Sequence, residues 1–424
     1  MAFEFFETYE SEARSYCRKF TSVFQTAKGS KLWDEEGREY IDFFNGAGAL
    51  SYGHNNDYIK ERLIDYLQKD GIIHGLDMYT GAKRDFIEYF QESMLKPRDL
   101  NYKIMFTGPT GTNAIESALK LARKVTGRTN IFAMMGAFHG MTMGALALTT
   151  DMSSRKGAGV PLHDVTHIPA PYMFPELDTV AYMERLITDD HSGVEKPAAL
   201  VLETVQAEGG IYVFDIEWLQ RVAAFCKKYE ILLIVDDIQV GCGRTGTFFS
   251  FERAGIKPDM VALSKSIGGY GLPMAILLFS PELDIWKPGE HNGTFRGNQL
   301  AFVAAKAALE FAKETNLYDN VKKKGEIIKN FLENEVKPLD ENIEIRGMGC
   351  IWGIDFGKVG PVGTSRKVLD ECFKNNMLIE LAGRDDCVLK PMPALTIPED
   401  ELLKGLEIIK KSTQKVLAQL HGQE

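Results

Sequence analysis

The segment Ile231-Leu-Leu-Ile-Val-Asp-Asp-Ile-Gln-Val-Gly-Cys-Gly-Arg-Thr-Gly246 decides the fold that the sequence predicts. Its first five residues are all apolar, which is typical of a short strand that is buried on both faces. Two carboxylates, Asp236 and Asp237, follow at the end of this strand. Because ligands bind at the carboxyl ends of strands in open α/β sheets, a carboxylate here can pair with a cationic ligand. A helix cap or a solvated loop position is the alternative for either side chain.

Apolar runs of the same kind lie on both sides of this segment. Amphipathic stretches separate them, at Asn113–Val125 and Ile216–Tyr229, where apolar residues recur at helical spacing. Buried strands that alternate with helices predict an α/β domain with a mostly parallel sheet, which we place at residues 53–315. The further strands are predicted at Tyr102–Phe106, Asn130–Met134, Ala198–Leu202 and Met274–Phe279.

A smaller α+β domain is predicted after about Ala312, at residues 316–424, because short strands and helices are mixed there. Its last helix is expected to begin at Thr396, since Glu399 follows at the spacing of a capping box. The other elements predicted in this domain are helices at Asn320–Val336 and Ser365–Asn375 and strands at Gly349–Phe356, Met377–Leu381 and Val388–Lys390.

The N-terminal residues 1–52 contain a hairpin pattern. The segment Lys31–Phe44 is hairpin-like, and Glu36-Gly37 supplies its turn. We assign this segment to the smaller domain.

Composition and charge argue against several classes of protein. The 424 residues have a net charge of −10 and no basic block, which disfavours nucleic acid or an anionic membrane as the main partner. No apolar stretch has the length of a membrane span, and the first residues lack the apolar run of a signal peptide. The six scattered cysteines form no C-x-x-C pair and predict reduced thiols. We therefore expect a cytoplasmic enzyme.

Three further segments supply what a pyridoxal phosphate (PLP) site needs in addition to a carboxylate for the ring nitrogen. Lys265 follows a short apolar run and precedes a glycine-rich loop, where desolvation can make a lysine amine nucleophilic. The turn Thr107–Asn113 joins a strand to a helix and offers free amides for a phosphate. Phe138, which is followed by His139 and Gly140, can stack on a planar ring. Each has an ordinary alternative: a surface lysine, a capped turn and a core aromatic side chain.

Two other patterns point to different chemistry. Gly241–Gly246 matches G-x-G-x-x-G, the pattern of an NAD-binding dehydrogenase, but it does not open a helix directly after a strand. His163 and His167 have the spacing of metal ligands on a helix, but the prolines around them indicate a loop, and we predict no metal site.

Taken together, these segments resemble the class III (omega) aminotransferases of PLP fold type I, the fold of aspartate aminotransferase. The resemblance extends from about Phe20 to the C-terminus. It implies a large domain with a mostly parallel seven-stranded sheet, a smaller α+β domain, and pyridoxal 5'-phosphate as cofactor. The motifs that carry it, in order, are TGPTGTNAIESALKLAR, FHG, ETVQAEGG, DDIQVGCGRTG, SKSIGGYGLPMA and GTFRGN.

The resemblance also implies roles for individual residues. Lys265 holds the cofactor as a Schiff base and later shuttles a proton, and Asp236 pairs with the ring nitrogen. Glu208 corresponds to the gating glutamate of the family. Thr294 reaches the phosphate of a neighbouring subunit, which implies a homodimer with shared active sites. The other cofactor contacts implied are Gln239 with the 3-oxygen of the ring, Gly111 and Thr112 with the phosphate, and Phe138 stacked on the ring.

Two positions depart from the pattern of many family members. Met141 stands where many have an arginine after the aromatic motif, and Lys390 stands where many have the arginine that pairs with the gating glutamate. Because a lysine is a point charge and not a bidentate fork, carboxylate recognition must be rearranged. Lys390 and Arg296 are our candidates for binding substrate carboxylates.

Within the family, the chain most resembles the diaminobutyrate–2-oxoglutarate transaminases of ectoine synthesis, which also have a lysine in the place of Lys390. The implied ping-pong reaction transfers the amino group of L-glutamate, by way of pyridoxamine phosphate, to C4 of L-aspartate 4-semialdehyde. The products are 2-oxoglutarate and L-2,4-diaminobutyrate. The alternatives are another omega-aminotransferase, acting on ornithine, 4-aminobutyrate or a natural-product amine, and an aminomutase. A catalytically dead regulator is disfavoured because Lys265 and Asp236 are both present.

Overall fold

The computed structural model describes residues 3–420 and residue 422. Its strands are β1 (Phe24–Lys28), β2 (Lys31–Asp34), β3 (Glu39–Asp42), β4 (Lys103–Phe106), β5 (Ile131–Met134), β6 (Val165–Ile168), β7 (Ala199–Leu202), β8 (Val205–Gln206), β9 (Tyr212–Val213), β10 (Leu232–Asp236), β11 (Met260–Leu263), β12 (Ile276–Phe279), β13 (Glu344–Met348), β14 (Ile351–Asp355), β15 (Met377–Leu378), β16 (Glu380–Ala382) and β17 (Val388–Lys390).

The α-helices follow the same chain order, and short 3-10 or π turns extend or connect them. They are α1 (Glu4–Tyr9), α2 (Asn45–Gly48), α3 (Asp57–Gln68), α4 (Gly81–Phe90), α5 (Gly111–Thr126), α6 (Met143–Leu148), α7 (Met152–Lys156), α8 (Thr179–Thr188), α9 (Ile216–Lys228), α10 (Gln299–Glu314), α11 (Leu317–Phe331), α12 (Thr364–Lys374) and α13 (Glu399–Leu420). The 3-10 and π turns are Tyr16–Arg18, Gln91–Leu95, Lys96–Arg98, Ser250–Ala254, Lys265–Gly268, Pro281–Leu283, Leu332–Val336, Lys337–Leu339 and Arg384–Asp386.

A seven-stranded sheet forms the centre of the molecule, in the order β4-β12-β11-β10-β7-β5-β6. Its neighbouring strands pair in parallel, except that β12 runs antiparallel to both β11 and β4. The predicted mostly parallel, seven-stranded α/β fold is therefore confirmed.

Helices cover both faces of this sheet, as the unbroken apolar strands require. On β10, Leu233 and Val235 lie in the same apolar cluster as the buried face of α9, whereas Ile234 lies in the cluster formed with α5. Side chains of a strand alternate between the two faces, so Asp236 extends the row of Ile234, on the side of α5.

The C-terminal part has its own antiparallel sheet, β13-β14-β17-β16. The predicted N-terminal hairpin forms β2 and β3, and β3 pairs in parallel with β15, Ile41 opposite Met377. We propose that the chain divides into residues 1–52, 53–315 and 316–424, and that residues 1–52 belong to the smaller domain. The pairing of β3 with β15 supports this assignment.

Three local predictions differ from the structure, and one strand of the C-terminal sheet was missed. The strand predicted at Met377–Leu381 is two strands, β15 and β16, which belong to different sheets. The loop predicted around His163 and His167 contains β6, an edge strand held by its pairing with β5. The last helix begins at Glu399 and not at Thr396, and the amide of Leu402 donates to the carbonyl of Pro398. Strand β13 was not predicted at all, because it is only partly buried and pairs with a strand that follows it.

Gly241–Gly246 forms turns that are not followed by a helix, which removes the dehydrogenase alternative. Arg244, within this segment, is completely buried. Its guanidinium donates to the carbonyls of Cys350 and Pro393, both at 2.9 Å, and to Ser51 Oγ at 3.1 Å. The segment is thus a structural joint between the N-terminal, central and C-terminal parts of the chain.

None of the helices within residues 3–420 and 422 is both long enough and apolar enough to cross a membrane. All six cysteines are free thiols, in agreement with the prediction from their spacing.

Candidate active site

The carboxyl ends of four parallel strands, β5, β7, β10 and β11, meet beside the N-terminus of α5 and border a cavity of about 150 Å³. A larger groove of about 1010 Å³ lies at the opposite end of β10, near Ile231 and Asp259. The smaller cavity is the candidate site, because buried titratable groups converge on it. The predicted site residues that line it are Gly111, Thr112, Phe138, Glu208, Asp236, Gln239 and Lys265.

Lys265 lies just after β11, at the start of a 3-10 turn, with a left-handed backbone (φ 52°). Its Nζ donates to the carbonyl of Ala47 at 2.9 Å. Desolvation lowers the pKa of Lys265, and the nearby carboxylate of Glu208 opposes this shift. A lowered pKa increases the fraction of neutral, nucleophilic amine.

Asp236 is held at the end of β10 by two contacts. Its Oδ1 accepts from the amide of Ile238 at 3.1 Å, and its Oδ2 lies 2.7 Å from Nδ1 of His139. The His139 side chain is completely buried. Burial opposes the charged ring, but the hydrogen bond to Asp236 and the charges of Asp236 and Glu203 together outweigh it and raise the pKa of His139. Sequence reasoning singled out the Phe138-His139-Gly140 segment but missed this role of His139.

Asp237, the neighbouring carboxylate, faces away from the cavity. It is completely buried, and its Oδ2 accepts from the amide of Ser250 at 3.1 Å. Its Oδ1 has no hydrogen-bond partner among the described residues. Burial raises the pKa of Asp237 to about 7. Only one of the two adjacent aspartates is therefore available to a ligand.

The N-terminus of α5 forms another wall. Its first residue is Gly111, where a side chain would come within 2.8 Å of Ile238. Thr112 Oγ1 lies 2.5 Å from Thr142 Oγ1. The free amides of such a helix end, together with threonine hydroxyls, suit a phosphate.

A carboxylate gate, which we define as Glu208 and Lys390, stands at the other side of the cavity, where Glu208 lines the wall and Lys390 lies behind Glu208. Lys390 is completely buried, and its Nζ donates to Glu208 Oε1 at 2.6 Å. Gln239 Nε2 donates to the same oxygen at 3.0 Å. Burial alone would raise the pKa of Glu208, but Lys390 and Lys265 outweigh it and lower that pKa to about 2. The gate therefore exists as an ion pair.

Two carboxylates near the site were not predicted. Glu203 follows β7 and accepts from the amides of Phe138, at 3.1 Å, and Ala207, at 3.3 Å. Burial, reinforced by Asp236 and opposed by His139, raises the pKa of Glu203 to about 7. Glu380 lies opposite Lys390 in the β16–β17 pair. The motif ETVQAEGG contained Glu203, but only its fold-dependent contacts reveal what it holds.

Besides Lys390, which lies behind Glu208, two predicted residues do not line this cavity within one chain. Thr294 is exposed. Arg296 donates to the carbonyl of Phe106 at 3.3 Å and borders a second cavity of about 290 Å³. Their proposed functions therefore require a contribution from outside this chain or a different site.

Comparison with known proteins identifies the family. The sequence profile described as "Aminotransferase class-III" matches residues 13–413. This chain belongs to the class-III aminotransferases. A diaminobutyrate--2-oxoglutarate transaminase of Halalkalibacterium halodurans is 54% identical to this aminotransferase over 97% of the chain and 96% of the relative. A protein of the same name from Streptomyces coelicolor is 52% identical over 97% of each chain.

Solved structures agree with the family. The ornithine aminotransferase from Toxoplasma gondii, crystallised with partial occupancy of PLP, has a TM-score of 0.86 at 25% identity and covers 99% of this aminotransferase and 95% of its own chain. A transaminase from the marine bacterium Virgibacillus has a TM-score of 0.88 at 22% identity, with 99% of both chains covered, and supports the fold.

The cavity fits PLP, the cofactor of class-III aminotransferases. Lys265 offers an amine, Asp236 a carboxylate, and α5 the free amides of its first turn. Gln239 Oε1 is buried without a hydrogen-bond partner in the described part of the chain, as expected of a group that awaits a ligand. The residues present therefore meet the chemical needs of this cofactor.

Proposed function

We propose that this aminotransferase transfers an amino group from L-glutamate to C4 of L-aspartate 4-semialdehyde, which gives 2-oxoglutarate and L-2,4-diaminobutyrate. The observation that carries the proposal is the match, over nearly the whole chain and at about half identity, to relatives named for diaminobutyrate and 2-oxoglutarate. Lys390 supports the proposal, because the diaminobutyrate–2-oxoglutarate transaminases that the sequence resembles also have a lysine at this place. Many other family members have an arginine there, which would make a bidentate contact with a carboxylate.

Bound PLP supplies an aldehyde that takes up amines and a ring that withdraws electrons. Lys265 would hold this group and would move a proton at the carbon from which the amino group departs. Asp236, positioned by His139, would keep the ring nitrogen protonated. Phe138 would stack against the ring, and Gly111 and Thr112 would bind the phosphate. The lowered pKa of Lys265 suits both of its tasks, since the neutral amine is the form that attacks and accepts protons.

The gate explains how one cavity serves two unlike substrates. Glutamate bears a carboxylate on its reacting carbon, whereas the semialdehyde bears only hydrogen there. While Glu208 is paired with Lys390, the positive charge of the lysine is neutralised, and the space beside the reacting carbon accepts the uncharged aldehyde of the semialdehyde. When Glu208 turns aside, Lys390 is free to pair with the carboxylate of glutamate.

We also propose a homodimer in which Thr294 reaches the phosphate site of the second copy. Thr294 is exposed, and its neighbour Phe295 is 66% exposed and packs edge-on against His74. Exposed apolar side chains adjoin this point, and such patches mark interaction surfaces. They are Ile72, Ile73, Leu76, Met78 and Tyr79. Arg296 is then a candidate for a shared site. The cytoplasmic location stays a prediction.

A donor–acceptor panel on the purified protein tests the proposal. Diaminobutyrate with 2-oxoglutarate should produce glutamate faster than ornithine or 4-aminobutyrate with 2-oxoglutarate does. Turnover of ornithine or 4-aminobutyrate in place of diaminobutyrate would transfer the assignment to another omega-aminotransferase. Nitrogen-15 from labelled glutamate should appear in diaminobutyrate, and its absence would indicate an aminomutase. Lys265→Ala serves as the inactive control.

A further inference from the structure

Lys390 contacts two carboxylates, and they differ in their surroundings. Glu208 Oε1 lies 2.6 Å from Nζ of Lys390, and its side chain is 31% exposed at the cavity. Glu380 Oε2 lies 2.9 Å from the same nitrogen, and its side chain is 4% exposed. One partner of the lysine therefore borders the substrate space, and the other is enclosed.

The two carboxylates also differ in how they are held. Glu380 lies in β16, directly opposite Lys390 in β17, so the ladder of the sheet fixes the two residues together. Glu208 lies in the connection between the short strands β8 and β9. Glu208 borders open space into which its side chain can rotate, whereas Glu380 is enclosed and the sheet keeps its backbone beside that of Lys390.

A buried ammonium that loses its only anionic partner is strongly destabilised. If Glu208 were the sole partner of Lys390, each turn of Glu208 would leave such a charge behind. We propose that Glu380 is the permanent counter-ion of Lys390, which keeps the ammonium charged and in place while Glu208 turns aside to admit a substrate carboxylate. The inference rests on the proposed function, because only a reaction with two unlike substrates requires Glu208 to move.

The phenol of Tyr16 lies near both carboxylates. Burial first, and then the carboxylates of Glu380 and Glu208, raise the pKa of the Tyr16 phenol, which therefore stays protonated beside them. Glu380 is a positioning residue, since it acts on the substrate only through Lys390.

Glu380→Gln tests the proposal, because it removes the charge and keeps the shape. Each half-reaction is followed separately. Glutamate is mixed with the PLP form of the enzyme, and 2-oxoglutarate is mixed with the aminated form. The amine substrate that the parent enzyme accepts is measured in the same way for comparison. We expect kcat/KM for glutamate and 2-oxoglutarate to fall about tenfold, and that for the amine to fall much less, since only dicarboxylates require Glu208 to leave Lys390. Glu380→Asp, which restores the charge, should recover part of the loss.

Two further variants make the result specific. Glu208→Gln should show the opposite split, with the larger loss for the amine, because Glu380 still holds Lys390. Asp385→Asn removes an exposed carboxylate close to the same strands and should show no split. Cofactor absorbance and thermal unfolding report whether each variant is folded and loaded.

Equal losses for both substrates in Glu380→Gln would assign Glu380 a merely structural role, and a gain for glutamate would show that it hinders the substrate. Either result overturns the inference. The substrate panel on the parent reports on the proposed function by itself. If the parent enzyme prefers a different amine, the proposed substrate changes. The difference between the losses for dicarboxylates and for that amine still tests the role of Glu380.

Discussion

The cofactor end of the cavity and its carboxylate gate are built in different ways. At the cofactor end, Lys265, Asp236 and Phe138 all follow or end parallel strands of one sheet. The gate joins Glu208, from the central part of the chain, to Lys390, from a separate C-terminal sheet. The first arrangement is fixed once the sheet forms, whereas the second depends on how two parts of the molecule meet. Changes at the cofactor end should therefore affect both substrates alike, and changes at the gate should separate them.

Lys265→Ala should have the largest effect. Loss of the amine removes both cofactor attachment and proton transfer, and we expect a fall in kcat of about 1000-fold or more in each half-reaction. Stopped-flow absorbance on each half-reaction measures it. A large difference between the two losses would contradict the common dependence on the cofactor end.

Substitutions of the two adjacent aspartates should have different effects. A change of Asp236 should affect activity, whereas a change of Asp237 should affect stability alone. Asp237 has a pKa of about 7 in the folded protein, above its ordinary value of 3.8. Between those values the folded state binds the proton and the unfolded state releases it, so this group lowers stability as pH rises from about 4 to about 7. Asp237→Asn has no proton to lose, so its free energy of unfolding, relative to that of the parent, should rise by a few kcal/mol between about pH 4 and about pH 7. Thermal unfolding at several pH values would detect this rise. A constant difference across the window would contradict the assignment.

Asp236→Asn is the matched change on the cavity side. Without the carboxylate, the ring nitrogen loses its anionic partner, and both half-reactions should slow about 100-fold. Single-turnover rates at one pH, compared with those of Asp237→Asn, measure the difference. Similar rates in the two variants would mean that the aspartates have been given the wrong roles.

Lys390→Arg should separate the substrates. A guanidinium binds a carboxylate through two parallel hydrogen bonds, so the ratio of kcat/KM for glutamate to that for diaminobutyrate should rise about tenfold. Steady-state kinetics on the donor panel measure it, and Lys411→Arg, on an exposed lysine, is the control. An unchanged ratio would remove Lys390 from the account of specificity.

Phe138→Leu should have the smallest effect. Loss of ring stacking costs about 1 kcal/mol, which corresponds to roughly fivefold weaker cofactor binding. Release of PLP during dialysis measures it, with Phe174→Leu, an exposed phenylalanine, beside it. Equal release from both variants would indicate that Phe138 does not stack on the ring.

The sequence predicted the cofactor end because its residues lie in local patterns. An apolar run that ends in Asp236, and another that ends just before Lys265, place both at the same edge of a parallel sheet. The contacts of His139 and Glu203 could not be read in this way, since their partners are distant in sequence and meet only in the fold. Glu380 was hidden because Met377–Leu381 was taken for one strand, although its two halves enter different sheets.

Arg244 has a consequence for the order of folding. Its buried guanidinium needs oxygens from Ser51, Cys350 and Pro393, which are spread over most of the chain. During synthesis, residues 350 and 393 leave the ribosome after β12, the last strand of the central sheet. Before these residues are made, the guanidinium of Arg244 lacks the carbonyl oxygens that the C-terminal part supplies. The joint around this arginine can therefore close only after those residues have been made, so its closure belongs to a late stage of folding.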